Sequence, residues 1–89
     1  MQQRTLEIIN KLGLHARAAS KLATLANRFE SRIQVSAHGK TTDAKSIMSL
    51  MLLAASIGTE IELITEGPDE VEAITALKEL INNRFDEEE

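Results

Sequence analysis

The chain has 89 residues, 43% hydrophobic, and carries a net charge of −4. That length holds one domain with a modest core of its own, spanning residues 1–89. There is no Cys, and Phe29 and Phe85 are the only aromatic residues. A disulfide scaffold and a thiolate metal site are therefore excluded. A nucleic-acid binder is not expected either, since that class usually shows a basic face with stacking aromatics. The longest apolar stretch, around Met48 to Ala55, is far too short to span a bilayer. Gln2, Gln3, Arg4 and Glu7 interrupt the start of the chain, so no signal core is visible and a cytoplasmic protein is expected.

Arg4 to Ile9 alternates in part, with Leu6 and Ile8 on one side, and predicts a strand. Asn10 to Leu14 reads as a loop around Gly13. From Ala16 the spacing changes to three and four residues. Ala19, Leu22, Ala26 and Phe29 form a stripe, flanked by Ala23 and Leu25, which predicts an amphipathic helix ending near Arg28 or Phe29. Arg32 to Ala37 alternates again, with Ile33, Val35 and Ala37 to one face. His38-Gly39 supplies a turn and Lys40 to Ala44 returns, giving a hairpin.

Ser46 is placed to cap a second helix that runs to about Leu53. Leu50 and Leu53 are expected on its core side, and Gly58 marks the break beyond it. Glu60 to Thr65 predicts a fourth strand with Ile61 and Leu63 inward. Gly67-Pro68-Asp69 turns into the last helix, with Pro68 near its first position. Val71, Ile74, Leu77 and Ile81 are its expected buried stripe, widened by Leu80. The acidic end, Asp86 to Glu89, is expected to be solvated and frayed.

The order is β-α-β-β-α-β-α. A sheet with one polar face and one helix-covered face fits this pattern. The connection through the first helix leaves room for another strand between the two it joins. The expected fold class is α+β: an open-faced β-sandwich, a four-stranded antiparallel sheet with three helices on one face.

One junction carries chemistry. At Asn10 to Ser20 (N-K-L-G-L-H-A-R-A-A-S) a strand pattern gives way to a helix beside Gly13, His15 and Arg17. A helix start presents unpaired backbone N–H groups and partial positive charge, which together suit a phosphate or carboxylate. The N–H groups of Ala16, Arg17 and Ala18 would supply that site, and the small alanines let an anion approach. Arg17 adds a planar, permanently charged donor. A neutral imidazole can act as a nucleophile toward phosphorus. The H-x-R spacing alone favours a plain helix start, with His15 capping it and Arg17 an ordinary surface residue. His38, at the hairpin turn, is expected to be an ordinary exposed residue. Two distant histidines without Cys make no metal site. No phosphate-binding glycine loop and no nucleophile elbow occurs, which argues against an autonomous enzyme.

Three stretches carry a family resemblance. G-L-H-A-R-A-A, Gly13 to Ala19, resembles the active-site motif of HPr, the histidine-containing phosphocarrier of the bacterial phosphotransferase system. A-K-S-I-M-S-L-M, Ala44 to Met51, resembles that family's regulatory-serine segment. E-G-P-D-E, Glu66 to Glu70, resembles the lead into its last helix. The order and separations agree, and the likeness covers nearly the whole chain.

The resemblance implies that His15 accepts a phosphoryl group from Enzyme I, which draws it from phosphoenolpyruvate. His15 then passes it to a IIA-type protein, with Arg17 steadying the group. It implies regulatory phosphorylation at Ser46, where the host has a serine kinase or phosphorylase for it. It also implies a docking patch at Ile47, Met48 and Met51, beside the histidine. No cofactor, no metal and a monomeric, non-enzymatic carrier are expected. The family usually has Pro where this chain has Ala18; alanine also suits a first helical turn, so a small change in helix geometry is expected. The lead-in N-K-L-G-L-H and the tail R-F-D-E-E-E resemble the nitrogen-related branch, NPr. K-S-I-M resembles carbohydrate-type carriers. A competing reading is a regulatory module that docks through the Ser46 region without phosphotransfer. A third is a small ligand-binding domain, since such sheets serve many functions.

Overall fold

Alternating apolar residues build a four-stranded sheet in the computed structural model, which describes residues 1–87. The elements are β1 (Gln2–Glu7), α1 (Ala16–Ala26), β2 (Arg32–Ala37), β3 (Lys40–Asp43), α2 (Ile47–Leu52), β4 (Glu60–Glu66) and α3 (Glu70–Asn82). A short 3₁₀ turn, Arg84–Asp86, follows. The strand order is β1-β4-β2-β3, and every neighbouring pair is antiparallel. β4 thus fills the gap between β1 and β2, for which the connection through α1 leaves room.

The register puts Leu6 opposite Ile61, Val35 opposite Leu63 and Ile33 opposite Thr65. These residues line the face covered by the helices. The opposite face shows Thr5, Glu62, Ser36 and Thr41 in one row across the sheet. Helix α1 buries Ala18, Ala19, Leu22, Ala23 and Ala26. Four of those five are alanines, so the helix lies close to its neighbours. Helix α3 buries Ala73, Ile74, Leu77 and Ile81, whereas α2 buries Leu50 alone.

The structure departs from the sequence expectations in four places. Val71 is 53% exposed. It lies roughly 100° around the helix from the centre of the stripe formed by Ala73, Ile74, Leu77 and Ile81. Pro68 stands before the helix, not at its first position. Asp69 is the N-cap, and its carboxylate is turned from the helix to accept from the backbone of Glu30 at 3.0 Å and Ser31 at 2.9 Å. Helix α1 stops at Ala26, short of Arg28. The Asn27 side chain donates to Ala23 O at 2.8 Å and Lys45 O at 3.0 Å, which draws the chain away toward α2.

The fourth departure is the tail. Asp86 is exposed as expected, but Glu87 is hydrogen-bonded to Asn10 and His15; Glu88 and Glu89 lie outside the described residues. Phe85 is fully buried, and Lys21 Nζ donates to its carbonyl at 2.8 Å. Arg84, Phe85 and Asp86 take left-handed backbone angles, which are costly for residues with side chains. Burial of the Phe85 ring and the Lys21 bond hold them there.

Candidate functional site

The loop before α1 is fixed on both sides. Ile8 exchanges backbone hydrogen bonds with the segment after α2: its N–H reaches Thr59 O at 2.9 Å and its carbonyl accepts from Gly58 at 2.8 Å. Leu14 N–H reaches Ala55 O at 2.8 Å. Gly13 sits between at φ +65°, and a Cβ there would lie 2.5 Å from Ala55 O. Glycine lets the two segments touch, and that contact aims the next residue.

That residue is His15, the N-cap of α1, with extended backbone angles (φ −77°, ψ −179°). Its side chain makes no capping hydrogen bond, and its carbonyl accepts the first helical bond from Ala19 at 2.8 Å. The N–H groups of Ala16, Arg17 and Ala18 precede that bond. No acidic residue occupies the first turn. The His15 side chain is 26% exposed. Ala16 and Arg17 are exposed, while Ala18 is fully buried. The structure therefore brings His15, Arg17 and the three N–H groups to one helix start.

Two residues not singled out from sequence complete the surroundings. Glu87 Oε2 lies 2.6 Å from His15 Nε2, and Glu87 Oε1 accepts from Asn10 Nδ2 at 2.9 Å. Asn10, fully buried, also donates to Gly13 O at 2.8 Å. Partial burial pushes the Glu87 carboxyl up. The hydrogen bonds from Asn10 and His15, with the nearby charges of His15 and Arg17, outweigh that and hold it below its ordinary value. One signal for the tail was present: Leu77, Ile81 and Phe85 repeat every four residues, extending the buried stripe past the helix end.

Ser46 lies at the other end of this face. Helices α1 and α2 run antiparallel. Asn27 Nδ2 bonds to Lys45 O, and Lys45 Nζ bonds to Phe29 O at 2.8 Å, joining the start of α2 to the end of α1. Ser46 is thus separated from His15 by about the length of α1, roughly 16 Å for its 11 residues. Ser46 Oγ caps α2 by accepting from Ser49 N–H at 3.2 Å. Ile47, Met48 and Met51 are exposed, Met48 by 71%. Leu52, Ile57 and Leu12 are exposed as well, the last two on loops that flank His15. Sequence periodicity missed Leu12 and Ile57 because loop residues show no period, and Leu52 ends the six-residue helix α2, too short a span for a period to place it. His38 is exposed at the hairpin turn, with φ +53°.

A partly exposed imidazole at a helix start with no side-chain cap is open to a group brought by another protein. The comparisons with known proteins agree. The family profile described as "PTS HPr component phosphorylation site" matches residues 2–83. The chain belongs to the HPr family, the phosphocarrier proteins of the phosphotransferase system. Phosphocarrier protein HPr of Cupriavidus necator is 57% identical over 89 residues, covering all of both chains. That of Pseudomonas aeruginosa is 54% identical over 85 residues, 94% of each. A crystal structure of HPr from Thermoanaerobacter tengcongensis matches with a TM-score of 0.96 at 47% identity, covering all of both chains. Crh of Bacillus subtilis, a catabolite repression protein described as a dimer with a swapped domain, matches at 0.75 and 44% identity, over 93% of this chain and 95% of that one. No helix among the described residues is long and apolar enough to cross a membrane.

Proposed function

We propose that His15 is the phosphoryl acceptor, taking the group from Enzyme I and passing it to a IIA-type protein. The observation that carries this reading is the start of α1. The His15 side chain caps nothing, is partly exposed, and precedes three N–H groups with no acid in the first turn. In the proposed reaction a ring nitrogen attacks phosphorus. The transferred group's oxygens are met by the N–H groups of Ala16, Arg17 and Ala18 and by the Arg17 guanidinium. The site acts by placement and charge, and no cofactor has a part in it.

The exposed Ile47, Met48 and Met51 form the proposed docking patch, with Leu12 and Ile57 extending it toward His15. Methionine suits a surface that must meet more than one partner. Ser46 is the proposed regulatory site for a serine kinase or phosphorylase. Its distance from His15 means that a phosphate there acts on docking and takes no part in the chemistry. The protein works as a monomer in the cytoplasm.

The test is to mix the protein with Enzyme I and phosphoenolpyruvate and to measure intact mass. A gain of one phosphoryl group, labile to acid and stable to base, is expected. Phosphorylation retained in His15→Ala would overturn the assignment. It would favour the second reading, a docking module acting through Ser46, which the separation of the two sites keeps distinct.

A further inference from the structure

The sheet has two open edges, and the one at β1 lies beside a groove that phosphoryl transfer does not use. We propose that an extended, acidic segment of another protein adds itself to β1 as a further strand and sets an acidic side chain between Arg4 and Lys78. Neither residue belongs to the phosphoryl-transfer site, so this binding does not depend on His15.

The ladder decides which backbone groups are free. β1 pairs with β4 on one side only. Just past its end, Ile8 N–H reaches Thr59 O at 2.9 Å, so the backbone of Ile8 faces β4. Antiparallel bonding alternates residue by residue. Gln2, Arg4 and Leu6 therefore bond to β4, while the N–H and C=O groups of Gln3, Thr5 and Glu7 point outward. These three residues are exposed. Among the described residues only the Gln3 carbonyl has a partner there, the Arg4 guanidinium at 2.8 Å. The edge at β3 is poorer: that strand has four residues, and its outward Asp43 carbonyl already accepts from Ser46 N–H at 3.2 Å. A row of free edge groups is a template for an incoming strand.

The groove supplies the selectivity. It holds about 510 Å³ between Arg4 on β1 and Ile74, Lys78, Glu79 and Asn82 on α3. Side chains of paired strands that share a face are neighbours, so every second side chain of an added strand would lie over this groove. Ile74, almost fully buried, gives it an apolar floor. Arg4 and Lys78 are exposed, and among the described residues neither is paired with an acid. Glu79 is the one acid of the lining and pairs with neither, so the groove keeps an excess of positive charge in a chain of net charge −4. A carboxylate placed there draws the Arg4 guanidinium off the Gln3 carbonyl and frees that acceptor. On the other face the added strand would meet Thr5, Glu7 and Glu62, which repel acids. The occupant is thus acidic at alternate positions, with neutral residues between.

The probe is a capped peptide of about six residues, the length of β1, in which Glu alternates with Thr. Its counterpart carries Lys in place of Glu. Each is titrated into the full protein at low salt and followed by proton–nitrogen NMR and amide hydrogen exchange. The Glu peptide should bind with a Kd on the order of 1 mM, shifting β1 and the Lys78 and Asn82 amides. At saturation it should slow exchange at Gln3, Thr5 and Glu7 and leave Arg4 and Leu6, already bonded, unchanged. The double variant Arg4→Glu, Lys78→Glu should lose the Glu peptide by about tenfold and take up the Lys peptide, with a melting temperature close to wild type. Exchange unchanged at the three outward amides overturns the proposal, as does equal binding of both peptides by the wild type. Capped glutamate that reproduces the shifts at the same affinity shows an ion site only and overturns it. Protection that grows with protein concentration alone makes a second copy the occupant and overturns it too.

Discussion

Helices α1 and α3 begin in opposite ways. At α3 the chain supplies its own anions. The Asp69 carboxylate accepts from the Ser31 hydroxyl and from the backbone of Glu30 and Ser31. Glu70, in the first turn, takes the Gly67 N–H at 3.1 Å and pairs with the terminal ammonium of Met1 at 2.7 Å. Neither N-cap side chain bonds to its own helix, but at α1 the N-cap is a histidine and the first turn holds no acid. Both ends have the same unpaired N–H groups and the same dipole sign. At α3 that positive end is already met by acids of the chain, one of which, Asp69, also ties the α1–β2 loop to the last helix. In α1 it faces outward, beside a histidine. The same local physics gives a fastening in one place and a site for an incoming anion in the other, depending on whether the chain fills the position itself.

The contrast can be broken at either end. The largest effect is expected from His15→Ala, which should lose phosphoryl acceptance altogether while circular dichroism stays that of the wild type. Next comes Ala16→Glu, which gives α1 the internal anion that α3 has. Melting temperature should hold or rise slightly, because an acid in the first turn is favourable. Single-turnover transfer should drop by about tenfold, since a new charge must be displaced or repelled.

At the other end, Asp69→Asn should lower the melting temperature by several degrees and leave phosphoryl acceptance unchanged. The pH dependence follows from the same group. Hydrogen bonds from the Ser31 hydroxyl and the Glu30 backbone hold the Asp69 carboxyl below its ordinary value of 3.8. The Met1 ammonium and the Gly67 N–H hold Glu70 below 4.5. A lowered folded pKa adds stability that is complete above the ordinary value and is lost as pH falls through the folded one. Thermal melts should therefore weaken below about pH 4.5, and Asp69→Asn should flatten that decline. A variant with the full wild-type acid sensitivity would show that Asp69 is not the group responsible. The smallest effect is expected at Arg17→Lys, which keeps the charge and loses the planar fork. Transfer should slow by a few-fold with little change in stability. Equal rates with either partner would show the fork to be dispensable.

Much of the fold was legible because it is written in short periods. Residues Arg32–Ala37 form the expected strand end to end, since Ile33, Val35 and Ala37 alternate against polar neighbours. Ser46 caps α2 as its residue type predicts, whereas the exposure of Ile47, Met48 and Met51 was implied by the family resemblance and not by any period. His15 and Arg17 stand at a helix start because the change from strand to helix pattern marks one. The rest depends on contacts that no local pattern encodes. Glu87 meets His15 across 72 positions and Asn10 across 77. A run of acids at a chain end looks the same whether it is solvated or held. Val71 was misplaced for a different reason: an apolar residue in a first turn fits a helical stripe by spacing even when it lies to the side.

The antiparallel setting of α1 and α2 has an electrostatic consequence. A charge added at Ser46 and one added at His15 are separated by about the length of α1, roughly 16 Å. The screening length at physiological ionic strength is about 8 Å. Two screening lengths leave little direct repulsion between two phosphates on these partly exposed side chains. The two positions can then be charged independently in the free protein, and they sense one another when a partner covers both and excludes the intervening salt and water. Antagonism between them would accordingly be strongest in the complex and would weaken as added salt loosens it.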